Sequence, residues 1–346
     1  MRWVGLGMFL NEEIYCEQSI RSVMENDFLD ELVLVHGANK FAYFADPYGL
    51  SIDNTLEIIK SLPWYGNKLK VYNIGWVPSK RELRNAALRM LTYRDSTNIL
   101  VLDLDEIWDS KDLALANDRF EQDRDLQFIH NELIQLRGDF NHYRDMSTGE
   151  QEHNLYNEQS EKQTIVCRDD TELRQGRTAE RLFRWQPGMH YISHTCICDM
   201  NNRYVYIDPA YKDYRVWEPD IKFWHYNYLK PFPQVFTKFS YFAQQDGGKE
   251  RNNEEAINRA MSEGYIKYLF TGTHPAGSWP VTPLPEDLTH PSIMDSHPYR
   301  HLSEREIVDP TGEWIRPEGP DREKVIAMLE DASKYLAPDN VDEMVT

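Results

Sequence analysis

Asp103 and Asp105 are the residues of this 346-residue chain whose type and spacing most plainly invite chemistry. They close the apolar run Ile99-Leu100-Val101-Leu102, a pattern of buried strand, and residues two apart on a strand leave the same face. Two carboxylates on one face at a strand end make a hard oxygen site for Mg²⁺ or Mn²⁺, and such ions complete their shell with phosphate oxygens. A metal-bound diphosphate is the ligand class this pair predicts. Acidic strand ends are also common as plain solvated surface, so the reading leans on the elements in front of the pair.

Those elements alternate. Val4 to Leu10 reads as a strand, and Cys16, Ile20, Val23 and Met24 then recur at helical spacing. Glu31 to Val35 is a second strand. Ser51 or Asp53 can cap a helix carrying Leu56, Ile59 and Leu62, and Lys68 to Ile74 alternates as a third strand. Ser79-Lys80-Arg81-Glu82 has the form of a capping box before the apolar face of Leu83, Ala86, Ala87, Met90 and Leu91. Ile99 to Leu104 is the fourth strand. Such alternation predicts an α/β fold with a mostly parallel, Rossmann-like sheet flanked by helices, and ligands of such sheets bind beyond the carboxyl ends of the strands.

Further on the pattern loosens. Phe128 to Leu136 and Arg181 to Trp185 are apolar pieces around a polar excursion at 145–180. Tyr191 to Cys198 and Arg203 to Ile207 read as a hairpin around Met200-Asn201-Asn202, and residues 235–245 and 321–336 as helices. Half of the 18 prolines fall in residues 271–320, which predicts a segment with little regular structure wrapping over the globule.

Composition narrows the function classes. With 41% hydrophobic and 12% aromatic residues the chain can bury a sizeable core, and a formal charge of −19 disfavours nucleic acid as a main ligand. No apolar run approaches the roughly 18 residues that a membrane span needs. Asn11-Glu12-Glu13 stands where a signal-peptide cleavage site would follow Trp3 to Leu10, so a cytoplasmic location is expected. Cys16, Cys167, Cys196 and Cys198 do not form a disulfide framework in a chain of this length. His190, His194, Cys196 and Cys198 invite a zinc reading, but neighbours strung along one extended strand converge poorly on a point.

In order and spacing, several segments resemble the GT-A glycosyltransferases of family 2, especially the lipopolysaccharide-core glucosyltransferase-like branch. They are Phe9-Leu10-Asn11-Glu12-Glu13, Arg84-Asn85-Ala86-Ala87, Asp103-Leu104-Asp105-Glu106, Glu180-Arg181-Leu182-Phe183-Arg184 and Trp224-His225-Tyr226 with Lys238 and Tyr241 behind it. The resemblance implies a GT-A domain over 1–245, with a nucleotide-sugar half at 1–115 and an acceptor half at 116–245, and a proline-rich C-terminal extension at 246–346 packed on it. It implies transfer of a sugar with inversion from a nucleotide diphosphate donor, by default a uridine diphosphate sugar, to a saccharide or other hydroxyl acceptor. Asn11 and Glu13 would then hold the donor, as would Arg84 and Arg181 near its phosphates, with Asp103 and Asp105 on Mn²⁺ or Mg²⁺. Glu13 reads equally as a helix N-terminal acid, and Lys80, Arg81 and Arg84 as a solvated helix face.

One departure is Val35-His36-Gly37-Ala38, where family members carry an Asp-Gly pair; Asp53 could take the place of the missing acid. His225 is either a metal ligand or a core histidine among Phe223, Trp224, Tyr226 and Tyr228, and His194 is an acceptor-site candidate. Glu180 is the expected general base, with Asp139, Asp169 and Asp170 competing. Two other function classes fit parts of the pattern. A haloacid-dehalogenase-like phosphatase would use Asp103 as nucleophile and Asp105 as acid and base, and a non-catalytic sugar- or nucleotide-binding protein would use the same scaffold.

Overall fold

The computed structural model describes residues 2–144 apart from 26, 40, 41, 43 and 92–96, then 181–192, 197–203, 214–231, 234, 281–303 and 306–307, with short backbone pieces at 154–155, 163–164, 178–180, 273–274 and 277–278. The expected helices at 235–245 and 321–336 lie outside the described residues.

The first part of the chain is a run of βα units: β1 (Arg2–Phe9), α1 (Cys16–Met24), β2 (Glu31–Asn39), α2 (Thr55–Ser61), β3 (Leu69–Val77), α3 (Lys80–Met90) and β4 (Thr97–Asp103). Its strands are parallel in the order β3-β2-β1-β4. β1, β2 and β4 are apolar on both faces because helices cover both, whereas the edge strand β3 is mostly half-buried. Leu32, Leu34, Leu100 and Leu102 pack with α1 on one side, and Val33, Val35, Ile99 and Val101 pack with Leu83, Ala86 and Ala87 of α3 on the other. The two-residue period of a strand thus divides one apolar run between two cores.

β5 (Glu106–Trp108) and α4 (Ser110–Gln122) follow, then β6 (Phe128–Arg137) and β7 (Asp139–Arg144), with two-residue pieces β8 (Asn154–Leu155) and β9 (Gln163–Thr164). β10 (Thr178–Arg184) enters the sheet antiparallel between β4 and β6. β11 (His190–Tyr191) pairs with β12 (Ile197–Cys198), and β13 (Arg215–His225) runs parallel to β6 and antiparallel to β5. The pieces β14 (Thr273–His274) and β15 (Gly277–Ser278) pair with each other, and β16 (Val281–Pro283) pairs with β7. This is an α/β fold with a curled, Rossmann-like sheet of the GT-A kind.

Three local expectations change. β2 and β3 run on to Asn39 and Val77, past a register shift at His36/Gly37 where Gly37 lies so close to β3 that a Cβ there would stand 2.5 Å from the Gly75 carbonyl. Tyr191 to Cys198 is not one strand, because its two ends pair antiparallel with each other; the turn after it is held by the Asp199 carboxylate, which accepts from the backbone N–H groups of Asn201 and Arg203. Ser79 is the N-cap of α3, but its hydroxyl makes no cap bond, and Glu82 turns to Arg81 at 3.0 Å, so the capping box does not close.

Residues 284–302 lie over the globule with little regular structure beyond a 3-10 turn at Ser292–Met294. Met294 and Ile307 join Tyr15, Ile134, Phe140, Trp224, Tyr226 and Leu229 in a third apolar cluster. Its polar anchors are specific. The His290 Nε2–H donates to the Phe140 carbonyl at 2.7 Å, which leaves Nδ1 to accept from the Tyr226 hydroxyl at 2.8 Å. His297 Nε2 donates to the Ile14 carbonyl at 3.1 Å, and its ring stacks on Tyr15 at 4.8 Å.

Candidate functional site

β4 ends at Asp103, so the carboxylate pair does not share a strand as the spacing suggested. Leu104 and Asp105 form a turn, Glu106 opens β5, and the Tyr226 N–H donates to the Asp105 carbonyl at 2.9 Å. The two carboxylates still meet, at the wall of a cavity of about 510 Å³ beyond the carboxyl ends of β1, β2 and β4. That size suits a small-molecule ligand.

Neighbouring elements deliver the partners. β10 lies beside β4 with Leu182 opposite Leu100, which carries Arg181 to the carboxylates. Arg181 forms a buried fork on Glu106, with Nε at 2.8 Å from one oxygen and Nη2 at 2.5 Å from the other, and Nη2 also reaches Asp103 at 2.9 Å. Arg84, buried on α3, donates to the other Asp103 oxygen at 2.6 Å. Burial raises the pKa of Asp103, but Arg84 and then Arg181 outweigh it and hold the carboxyl well below the usual carboxylate range. For Glu106 burial prevails over the pull of Arg181, and its pKa is raised. For Arg181 burial works against the charge, yet Glu106 and Asp103 overcome it and raise its pKa.

Asp105 has a different retinue. His225, opposite Glu106 at the end of β13, places Nε2 3.2 Å from Oδ1 of Asp105. Lys230, five residues on, donates to Oδ2 at 3.1 Å and to Glu12 as well. The Tyr15 hydroxyl donates to the Leu229 carbonyl and so ties the Lys230 segment to the first α-helix.

At the other end the cavity is apolar, with Leu10, Gly37, Ala38, Ala42 and Phe44 in its wall. Asn11, at a left-handed φ of 55°, shapes this rim: it accepts from the Ile52 N–H at 2.8 Å and donates to the Phe44 carbonyl at 2.9 Å. Asp53 accepts from the Glu13 N–H at 3.2 Å and from the Thr55 hydroxyl at 2.6 Å. His36 stacks on Phe9 at 4.3 Å and accepts through Nε2 from the Ser51 N–H at 2.8 Å, which fastens the same loop to β2. Burial lowers its pKa.

Of the residues singled out in the sequence, Asn11, Asp53, Lys80, Arg84, Asp103, Asp105, Arg181 and His225 line one cavity. Glu13 stands outside its wall and accepts from Asn54 at 3.1 Å. Asp139 also stands apart, at the start of β7, accepting from the Asn141 N–H at 2.7 Å and facing His142 at 2.8 Å. The Glu180 backbone is on β10, directly before Arg181. Its side chain, His194, Cys196, Asp169 and Asp170 lie outside the described residues, and Cys198 is buried in strand packing. Sequence reasoning passed over Glu106 and Glu12 as motif filler and missed Lys230. A lysine inside Tyr226-Asn227-Tyr228-Leu229-Lys230-Pro231 was the available signal, since a charge in an apolar run needs a partner.

Asp105 and His225 are the residues here that could hold a divalent ion between them. Asp105 Oδ1 and His225 Nε2, 3.2 Å apart, are close to the edge of an octahedron with bonds of about 2.1 Å, which is about 3 Å. Asp103 is spoken for by two guanidinium groups. Among the described residues no group of three or more His, Cys, Asp or Glu is arranged to hold a metal ion. The charges of the wall also balance, Glu12, Asp53, Asp103 and Asp105 against Lys80, Arg84, Arg181 and Lys230, with Glu106 buried behind them.

No family model matches the chain, and no curated protein matches it. Among solved structures, S. aureus TarS 1-349 in complex with UDP-GlcNAc is similar at 18% identity and a TM-score of 0.33, over 46% of this chain and 42% of that one. The same protein in complex with UDP gives 18% and 0.33 over 46% and 43%, and mannose-6-phosphate isomerase from Helicobacter pylori gives 14% and 0.24 over 44% and 60%. The chain spans less than half the length of these TarS chains. Likenesses this distant carry no argument, and the fold class rests on the strand order itself. No helix among the described residues is long and apolar enough to cross a membrane.

Proposed function

We propose that the chain is a metal-dependent glycosyltransferase that moves a sugar from a nucleotide diphosphate donor, by default a uridine diphosphate sugar, to an acceptor hydroxyl with inversion. What carries the reading is the convergence of Asp105 and His225 from different elements on a charge-balanced cavity at the carboxyl edge of parallel strands. Asp105 and His225 would hold Mn²⁺ or Mg²⁺, which neutralises the departing diphosphate. Asp103, clamped by Arg84 and Arg181, positions the donor, and the apolar end framed by Asn11 and Asp53 takes the base and ribose. Glu180 accepts the proton of the acceptor hydroxyl as its oxygen bonds to the anomeric carbon and the bond to the diphosphate breaks. The clamp on Asp103 speaks against the phosphatase reading, which needs that carboxylate as an open nucleophile.

The test is calorimetry of uridine diphosphate sugars with and without Mn²⁺. Asp105→Asn should abolish the metal-dependent part of binding, and unchanged affinity would overturn the reading. Glu180→Gln should keep binding and lose about 100- to 10,000-fold in turnover. Near-normal turnover would remove Glu180 from the role, and a retained anomeric configuration by proton NMR would refute inversion.

A further inference from the structure

Lys230 is the least accounted-for group at the site. It is 4% exposed, and its ammonium lies between Glu12 and Asp105, the carboxylate to which the proposed function assigns the ion. An ammonium is a compact, strongly hydrated point charge, expensive to hide and kept here by its partners. Glu12 comes from the segment after β1, Asp105 from the turn after β4, and Lys230 from the segment after β13, so the three join these segments at the cavity's polar end.

Two cations cannot share Asp105 without cost. His225 stands on one of its oxygens and Lys230 on the other, so a divalent ion bound on the His225 side lies beside the lysine charge. A diphosphate arriving with the ion offers Lys230 new oxygens in the same cavity. We propose that Lys230 competes with the divalent ion for Asp105 and is handed to the donor's diphosphate when the ion binds, so that ion and nucleotide bind cooperatively. This rests on the reading of Asp105 as a metal ligand. Lys230 is then a positioning residue whose job is to suppress metal binding without donor.

Mn²⁺ binding to the full chain, read by electron paramagnetic resonance with and without uridine diphosphate, tests it. In the unaltered protein the nucleotide should tighten Mn²⁺ binding, within the about 5- to 150-fold range of such couplings. Lys230→Gln should bind Mn²⁺ alone about tenfold more tightly, and the gain from nucleotide should shrink by a similar factor. Lys230→Arg, which keeps the charge, should stay near the unaltered protein. Lys230→Met, an apolar side chain of similar length, serves if the glutamine variant does not melt cooperatively. Unchanged or weaker Mn²⁺ affinity in a folded neutral variant overturns the proposal. If the unaltered protein and Asp105→Asn bind Mn²⁺ equally with nucleotide present, the metal reading falls and this one with it, a result distinct from a lysine that merely fails to compete.

Discussion

Asp103 stands at the end of a strand packed on both faces by leucine, isoleucine and valine, whereas His225 and Lys230, across the cavity, belong to a segment anchored by tyrosine and histidine hydrogen bonds. The first wall is held by a force that is non-directional and indifferent to pH. The second is held by geometry: Tyr15 on Leu229, Tyr226 on His290, His290 on Phe140 and His297 on Ile14. A rigid carboxylate therefore faces a wall whose position depends on a few titratable rings. The residues meant to grip charge sit where the two supports meet, and Arg181 is the rivet between them.

Arg181→Leu should produce the largest effect on stability. It leaves Glu106 buried without its cation and frees one oxygen of Asp103, so stability should fall by about 3 to 5 kcal/mol in denaturant unfolding. A change under 1 kcal/mol would mean that the fork is ornamental and that the two walls stand independently.

Leu102→Ala, in the apolar wall, should cost about 2 to 5 kcal/mol, with the same loss at pH 5 and pH 7.5. A strong pH dependence of that loss would break the comparison, because a leucine core carries no proton.

The opposite wall should respond to acid. Burial lowers the His290 pKa to about 4, from the 6.5 of an ordinary histidine. The unfolded chain then binds more protons than the folded one between those values, so the contribution of His290 is present above pH 6.5 and is lost as pH falls toward 4. His290→Gln should flatten that part of the curve of melting temperature against pH, at a cost of about 1 kcal/mol near neutrality for the hydrogen bonds it alters. An unaltered acid limb in the variant would mean that carboxylates elsewhere set it.

The apolar wall was the part open to sequence reading. Cys16, Ile20, Val23 and Met24 form a buried helix face, and Ile99 to Leu102 form a buried strand, because periodicity is a local property that burial merely uses. Polar bonds and strand pairings were not. Ser79 and Glu82 carry the capping pattern without making its bonds, since Arg81 offers Glu82 a nearer partner. Tyr191 to Cys198 looked like one strand and is two, as pairing partners and not propensity decide where a strand stops.

By itself the sequence determined that the chain is an α/β protein with a parallel first half and an acidic pair at the end of its fourth strand, because alternation and apolar runs are written residue by residue. Only the tertiary structure decided what that pair does. It gave Asp103 to Arg84 and Arg181, Asp105 to His225 and Lys230, and turned Asn11 and Asp53 into the frame of the cavity rim. Those partners lie from 19 to 125 positions away for the acids. The energy of a charged group depends on which charges share its burial, and no spacing along the chain records that.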